Sequence, residues 1–406
     1  MARYLAYTSP ARGHLYPIVP TLLELRRRAH EVHVRTLASE VKVLQAEGLQ
    51  ASAIDPAIEA APLDDWKAAT PQEGLARVLV RFAERAKREV PDLQRAIEQV
   101  DPDVLLVDIT TVGAAAVAEA QSIPWAQSIP LFQHFSFGPE APAELTLVPF
   151  AIDPVAGIEV LNAPRRQVGL APLAGLGEVW RAPLHLYYTA KPFELEGLVL
   201  PPSFRLVGPG VWEPPVQAPE WLEEVGEPLV LVSASSELQR DEGLIEAALQ
   251  ALRTDDVRVV VTTAAHDPQR FQTPANARVT RWLPHGPVLQ KAACVVCHGG
   301  MGITQKALAA GVPVCIVPFG RDQFEVAKRV TAAGAGTMLP PDVLNPDSLQ
   351  GAIHQAILMR DGAQRIAAAF ARAGGASAAA EALESLLASP PQASPIERSL
   401  DPSTTG

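Results

Sequence analysis

With 406 residues, 48% of them apolar, the chain is longer than one ordinary domain and carries enough hydrophobic sequence for two cores. A net charge of −11 argues against nucleic acid as a partner, because that needs a concentrated basic surface. No apolar run reaches the about 18 residues that span a bilayer, and the start, MARYLAY, carries no signal-peptide pattern, so a cytoplasmic protein without a membrane partner is expected.

Residues 3 to 8 read as a first strand and 17 to 28 as a helix with Ile18, Leu22 and Leu25 on one face. Between them Gly13 permits a tight turn, which puts His14 at a strand's carboxyl end, where ligands bind in parallel sheets. Arg26, Arg27 and Arg28 read as the solvated end of that helix. Residues 31 to 37 and 51 to 54 follow as strands, 57 to 70 as loop, and 72 to 100 as one or two amphipathic helices. The apolar run 103 to 107 ends in Asp108, another strand end followed by a helix, where the carboxylate suits an N-cap. From 129 to 150 the chain is rich in aromatic residues among Pro and Gly. Phe132, His134 and Phe137 there, with Trp66 and Phe82 upstream, are candidates for the wall of an apolar pocket.

The segment 189 to 220, dense in proline, is the clearest break in composition and reads as a semi-rigid connector. Domain bounds of 1–200 and 221–388 are expected, with a linker at 201–220 and a disordered Ser/Pro-rich tail at 389–406. The second half opens on a strand at 228 to 233, followed by Ser235 and Ser236. It continues with a strand at 257 to 262, helices at 322 to 333 and 345 to 358, and one Ala-rich helix from about 362 to 388.

The most informative stretch runs from Arg281 to Gln323. A buried strand ending at Cys297 meets a helix starting near Gly302 through His298-Gly299-Gly300-Met301-Gly302. Glycines let the backbone approach a bound group, and the free N–H groups and positive end of the following helix favour an anion such as phosphate. Trp282 before the joint, and Asp322 and Gln323 after a second buried strand at 312 to 318, fall at the same sheet edge, so all three elements suit one elongated ligand. Cys294 and Cys297 lie in that strand three residues apart, on opposite faces, and with Cys315 read as buried thiols; no metal site is expected.

Trp282, His298-Gly-Gly-x-Gly, Val312-Pro313, Pro318 and Asp322-Gln323 together resemble the donor-binding signature of the nucleotide-sugar-dependent glycosyltransferases that modify small molecules, and Gly13-His14 followed by Pro17 resembles their amino-terminal signature. The resemblance covers roughly residues 1 to 388. It implies the α/β fold called GT-B, two Rossmann-like parallel-sheet domains facing a cleft, with the last helix packing back on the first domain. It also implies an inverting, metal-independent transfer with no cofactor, from a UDP- or dTDP-sugar to a small-molecule acceptor, in a monomer or homodimer. By resemblance His14 is the general base and Asp108 orients it. Trp282 stacks on the base, and His298 with the backbone of Gly299, Gly300, Met301, Gly302, Ile303 and Thr304 holds the diphosphate. Asp322 and Gln323 bind the sugar, Gly13, Ser235 and Ser236 line the donor site, and Trp66, Phe82, Phe132, His134 and Phe137 face the acceptor. His285, Ile303 and Lys306 depart from the family pattern. Where many members carry a ribose-binding Glu, this chain has Lys306, which leaves room for a deoxyribose donor. A nucleotide-sugar epimerase and a non-catalytic nucleotide-sugar-binding or auxiliary partner protein stay open as alternatives.

Overall fold

The computed structural model describes residues 1–130, 154–175 and 178–388. The first half is one all-parallel sheet of β1 (Arg3–Tyr7), β2 (Glu31–Thr36), β3 (Gln50–Ala53), β4 (Val104–Asp108), β5 (Trp125–Ile129), β6 (Leu184–Tyr187) and β7 (Phe204–Leu206), in the order β3-β2-β1-β4-β5-β6-β7. The second is a parallel sheet of β8 (Leu229–Ser233), β9 (Arg258–Thr262), β10 (Ala277–Thr280), β11 (Ala292–Cys297), β12 (Val314–Ile316) and β13 (Gly336–Met338), in the order β10-β9-β8-β11-β12-β13. Central strands such as β4 and β8 are buried along their whole length, which is why they read as unbroken apolar runs instead of alternating ones.

In both sheets the chain starts in the middle, builds outward to one edge, then returns to the other side of its first strand. The order therefore reverses between β1 and β4 in one sheet and between β8 and β11 in the other. At such a reversal the connections leave in opposite directions and open a crevice at the strands' carboxyl ends. Tyr7 pairs with Val107 and Ser233 with Cys297, so the loops after β1 and β4 emerge side by side, as do those after β8 and β11.

Two elements differ from their sequence-based expectation, and a third takes the simpler of its two expected forms. Residues 204–206, expected in the connector, add the edge strand β7 to the first sheet. The segment 72–100 lies in one unbroken helix, Pro71–Val100, despite Pro91 inside it. The expected Ala-rich helix is two, Arg360–Arg372 and Gly375–Ser385, because Gly374 and Gly375 take φ of 90° and 56°, which an L side chain rarely adopts. The second of these helices packs on Val19–Arg27, and its Glu384 accepts from Arg28 at 2.7 Å and pairs with His30 at 3.0 Å.

The halves also share a core: Ile129, Tyr187 and Phe193 of the first lie in one cluster with Leu231, Val295 and Phe370 of the second. A buried pair, Arg329 with Glu194 at 2.8 Å, crosses the same junction. Cys294 and Cys297 fall in separate clusters on opposite faces of β11, and all three cysteines are free and buried. Among the described residues no helix is long and apolar enough to cross a membrane.

Candidate functional site

At the first reversal, β1 leads into a one-turn helix, Arg12–Leu15, that carries His14. Gly13 lies inside that helix, not at a left-handed turn, and a Cβ there would meet nothing within 4 Å. The turn is held from below by Glu40, which accepts from Arg12 at 2.7 Å and from the Tyr16 hydroxyl at 2.9 Å. Asp108, the last residue of β4 and fully buried, accepts from His14 Nδ1 at 2.8 Å. Its other oxygen is fixed by Thr110, through the hydroxyl at 2.5 Å and the backbone N–H at 2.9 Å. An ionised carboxylate only accepts, so Nδ1 carries the proton and Nε2 keeps the lone pair. Burial opposes charging His14, but the Asp108 carboxylate outweighs it, and Glu237 and Asp322 of the second half add to the effect; the pKa rises above the usual histidine value. The two halves therefore meet electrostatically at this side chain.

At the second reversal, β11 ends at Cys297 and the helix Met301–Ala309 begins after His298, Gly299 and Gly300. Gly299 has φ of 90°, and a Cβ would sit 2.7 Å from Ile316. A Cβ at Gly300 would sit 2.4 Å from His298 Nε2, so glycine there leaves space for the ring. His298 is 7% exposed, and among the described residues its Nδ1 is buried without a hydrogen-bond partner. Such an orphan costs about 1–3 kcal/mol, which a ligand or water can recover. Burial, helped by Arg321 and opposed by Asp241, lowers the His298 pKa. Helix geometry leaves the N–H groups of 301–303 without partners in their own helix, and a Cβ at Gly302 would find open space.

Thr304 is placed otherwise than expected: its N–H donates to Gly300 O at 3.1 Å and its hydroxyl lies 3.8 Å from Cys297 Sγ. The Met301 side chain is in the core and Ile303 packs against it, so only the backbone of these two faces the joint. Ser236 is exposed, whereas Ser235 is buried: its N–H donates to Asp241 at 2.6 Å and its hydroxyl accepts from Gln239 at 2.8 Å. Asp241 is braced in turn by His266 at 2.8 Å, a buried pair that shapes the loop after β8.

Trp282 follows β10 with 44% of its surface exposed, unusual for an indole and open to stacking. Close by in sequence, His285 lies 3.2 Å from the Thr262 hydroxyl; burial first, then Lys306, pulls its pKa down to about 4, so it is neutral at pH 7. The connector supplies a residue that composition gave no reason to single out. Glu213 accepts from the N–H groups of His285 at 3.0 Å and Gly286 at 3.1 Å, and from Lys306 at 2.9 Å. Burial pushes Glu213 up, but Lys306 and these donors prevail and hold it below the usual carboxylate range. Lys306 thus does not face solvent freely: its side chain is mostly buried and ion-paired with Glu213.

Asp322 and Gln323 start the helix after β12, with Asp322 as its N-cap residue. Gln323 is 2% exposed; its carboxamide oxygen accepts from Phe319 N at 2.7 Å and Gly320 N at 3.1 Å, and its amide donates to Gln239. In this conformation Gln323 braces the loop beside the crevice. Trp66 is half-buried in the turn Asp65–Lys67, and Phe82 is half-buried on the long helix. Phe132, His134 and Phe137 lie outside the described residues. Glu213, Asp65 and Arg321 carry no local sequence signal, since each acts through a partner set by the fold, whereas Thr110 meets Asp108 within a single turn, two residues away. No group of three or more His, Cys, Asp or Glu suited to a metal occurs among the described residues.

Residues 246–385 match the family described as the erythromycin biosynthesis protein CIII-like C-terminal domain. The chain is 30% identical over 384 residues to the 4'-demethylrebeccamycin synthase of Lentzea aerocolonigenes, covering 87% of this chain and 91% of that one. The glycosyltransferase of kitacinnamycin superposes with a TM-score of 0.77 at 23% identity, covering 95% of this chain and 99% of the other. The glycosyltransferase VinC, in complex with dTDP, does so with 0.70 at 22%, covering 95% and 99%. Two parallel-sheet domains, each with its strand order reversed at a central crevice, are thus shared with these proteins, and the chain belongs to the family of natural-product glycosyltransferases of GT-B fold.

Proposed function

We propose that this enzyme carries out an inverting, metal-independent transfer of a hexose or deoxyhexose from a UDP- or dTDP-sugar to a hydroxyl of an apolar small molecule. The observation that carries the reading is the contrast between His14, tied to a buried carboxylate and with an Nε2 lone pair left over in its neutral form, and His298, whose buried Nδ1 has no partner among the described residues beside the start of a helix. In this scheme Nε2 of His14 takes the acceptor's proton as the acceptor oxygen bonds to the anomeric carbon, a service worth about 10² to 10⁴ in rate. The bond from that carbon to the diphosphate breaks from the opposite face, which inverts the configuration. The departing charge meets His298 and the amides of 301–303, donors already in place before the reaction. Trp282 takes the base, and Asp322 lies near enough to His14 to belong beside the transferred sugar. The dTDP held by VinC supports including thymidine donors.

The test is incubation with a panel of UDP- and dTDP-sugars and apolar hydroxylated acceptors, with and without EDTA, followed by NMR of the product. A glycoside of inverted anomeric configuration, formed equally well with EDTA, is expected. Retained configuration, loss of turnover in EDTA, or an isomerised sugar nucleotide without glycoside would overturn the reading.

A further inference from the structure

Arg321 joins three loops that the proposed reaction, on which this inference rests, would have to bring together. Its Nε and Nη2 donate to the two oxygens of Asp65 at 2.9 and 2.8 Å, and its Nη1 donates to Glu237 at 2.8 Å. Asp65 belongs to the turn of the first half that carries Trp66, Glu237 to the loop after β8, and Arg321 itself immediately precedes Asp322. The residue beside Asp65 is tied the other way: Asp64 accepts from Arg77 at 3.2 Å and Arg81 at 3.3 Å of the long helix behind it. Two adjacent carboxylates thus hold one turn between its own domain and the opposite one. Arg321 has φ of 53°, a left-handed conformation that costs a non-glycine residue energy and is kept only where its surroundings fix it. The guanidinium side chain is 23% exposed and that of Asp65 14%, so solvent screens this bidentate pair less than a surface pair.

We propose that Arg321 is a positioning residue for transfer: by clamping Asp65 it fixes the Trp66 turn against the loop of Asp322, so that acceptor and sugar are aligned from opposite halves. Because the clamp contacts the acceptor-side turn, its loss weakens use of the acceptor, and where Asp65 is the partner removed it spares the nucleotide. The pair Asp65→Asn and Arg321→Gln, with the double variant, tests this. Hydrogen exchange of residues 60–70, measured without substrates, should speed up in each single variant and no further in the double. The KM for acceptor should rise about tenfold, within the range of 5- to 150-fold common for coupled sites, while in Asp65→Asn, which leaves the charge of Arg321 beside His298 in place, the Kd for UDP and dTDP by titration stays within twofold. Arg321→Lys keeps the charge but loses the two-point contact, and should recover only part of the acceptor KM. Unchanged exchange in all variants, additive effects on exchange in the double, or an equal loss of nucleotide affinity in Asp65→Asn would each overturn the clamp. Exchange and nucleotide titration need no turnover, so a wild-type enzyme that transfers nothing would refute the reaction and leave the clamp to be judged on its own.

Discussion

The two strand-order reversals have the same topology and opposite chemistry. After β1 and β4 the ionisable groups are paired, although the Ser9 hydroxyl is buried there without a partner among the described residues: Asp108 is held by Thr110 and holds His14, and Glu40 fixes the turn beneath. After β8 and β11 the backbone is shaped by glycine and a polar atom is left unmatched, the Nδ1 of His298. A matched pair keeps a base in one tautomer and orientation; an unmatched donor set is what an arriving anion completes. The same residue type is tuned in opposite directions by its neighbours. His14 is raised because Asp108 outweighs burial, and His298 is lowered because burial, aided by Arg321, outweighs Asp241. The signs carry into stability. The contribution of His14 is fully present below about pH 6.5, the unfolded value, and is lost as pH rises through the higher folded pKa. That of His298 is present above about pH 6.5 and is lost as pH falls through the lower folded pKa.

Removing the base should break the comparison most. His14→Ala is expected to lower kcat by about 10² or more while leaving nucleotide affinity nearly unchanged, because the proton moves only in the transition state. Wild-type turnover in this variant would take His14 out of the chemistry. At the other reversal, Gly300→Ala puts a methyl where the His298 ring lies, and overpacking of this kind costs about 1–3 kcal/mol. Diphosphate affinity measured by calorimetry should drop about ten- to a hundredfold with the His14 pKa unmoved; unaltered affinity would mean the ring is not part of the anion site. Trp282→Ala should weaken every nucleotide by a similar about 1–3 kcal/mol, the scale of base stacking on an aromatic side chain.

Asp108→Asn sharpens the contrast without deleting a ring. The acid limb of kcat/KM reports the free enzyme's base, so in wild type it should lie above the usual histidine value. With the carboxylate gone, burial is left as the larger influence and the limb should move to lower pH, with a loss of rate smaller than that of His14→Ala. A limb that stays in place would assign the raised pKa to Glu237 and Asp322 instead.

The parts legible in the sequence are those whose partners are near in the chain or whose burial makes an unbroken apolar run. β8, β11 and the glycine joint announce themselves in this way, and His14 and Asp108 each sit at the end of such a run. What could not be read depends on contacts across long separations. Glu213 meets His285 and Lys306 of the second half only because the connector runs against both halves: three residues earlier, Gly210 packs on Pro17 of the first so closely that a Cβ would lie 1.7 Å from its carbonyl oxygen. Asp65 and Arg321 are joined solely by the way the halves face each other. At Gly374-Gly375 the helix-forming alanines on both sides favour one continuous helix by propensity, and it is the left-handed dihedral angles of the two glycines that divide it.

The smallest expected effect concerns the nucleotide, and the connector decides it. UDP carries a 2′-hydroxyl that dTDP lacks, and that hydroxyl gains most from a free acceptor between the Trp282 platform and the anion site. The carboxylate beside His285 is Glu213, 3.8 Å from its ring, yet three donors already occupy it: the amides of His285 and Gly286 and the Lys306 ammonium. A carboxylate offers about four lone-pair sites, so little capacity is left for ribose, and dTDP should bind at least as tightly as UDP. Lys306→Ala releases one site and should shift preference toward UDP by about two- to tenfold, the worth of one net hydrogen bond. Glu213→Gln with Lys306→Ala in the same chain should abolish that shift, since an amide offers fewer acceptor sites. Competitive titration of the two diphosphates against all three proteins separates the cases: a clear wild-type preference for UDP that persists in Lys306→Ala would place the discrimination elsewhere than at Glu213.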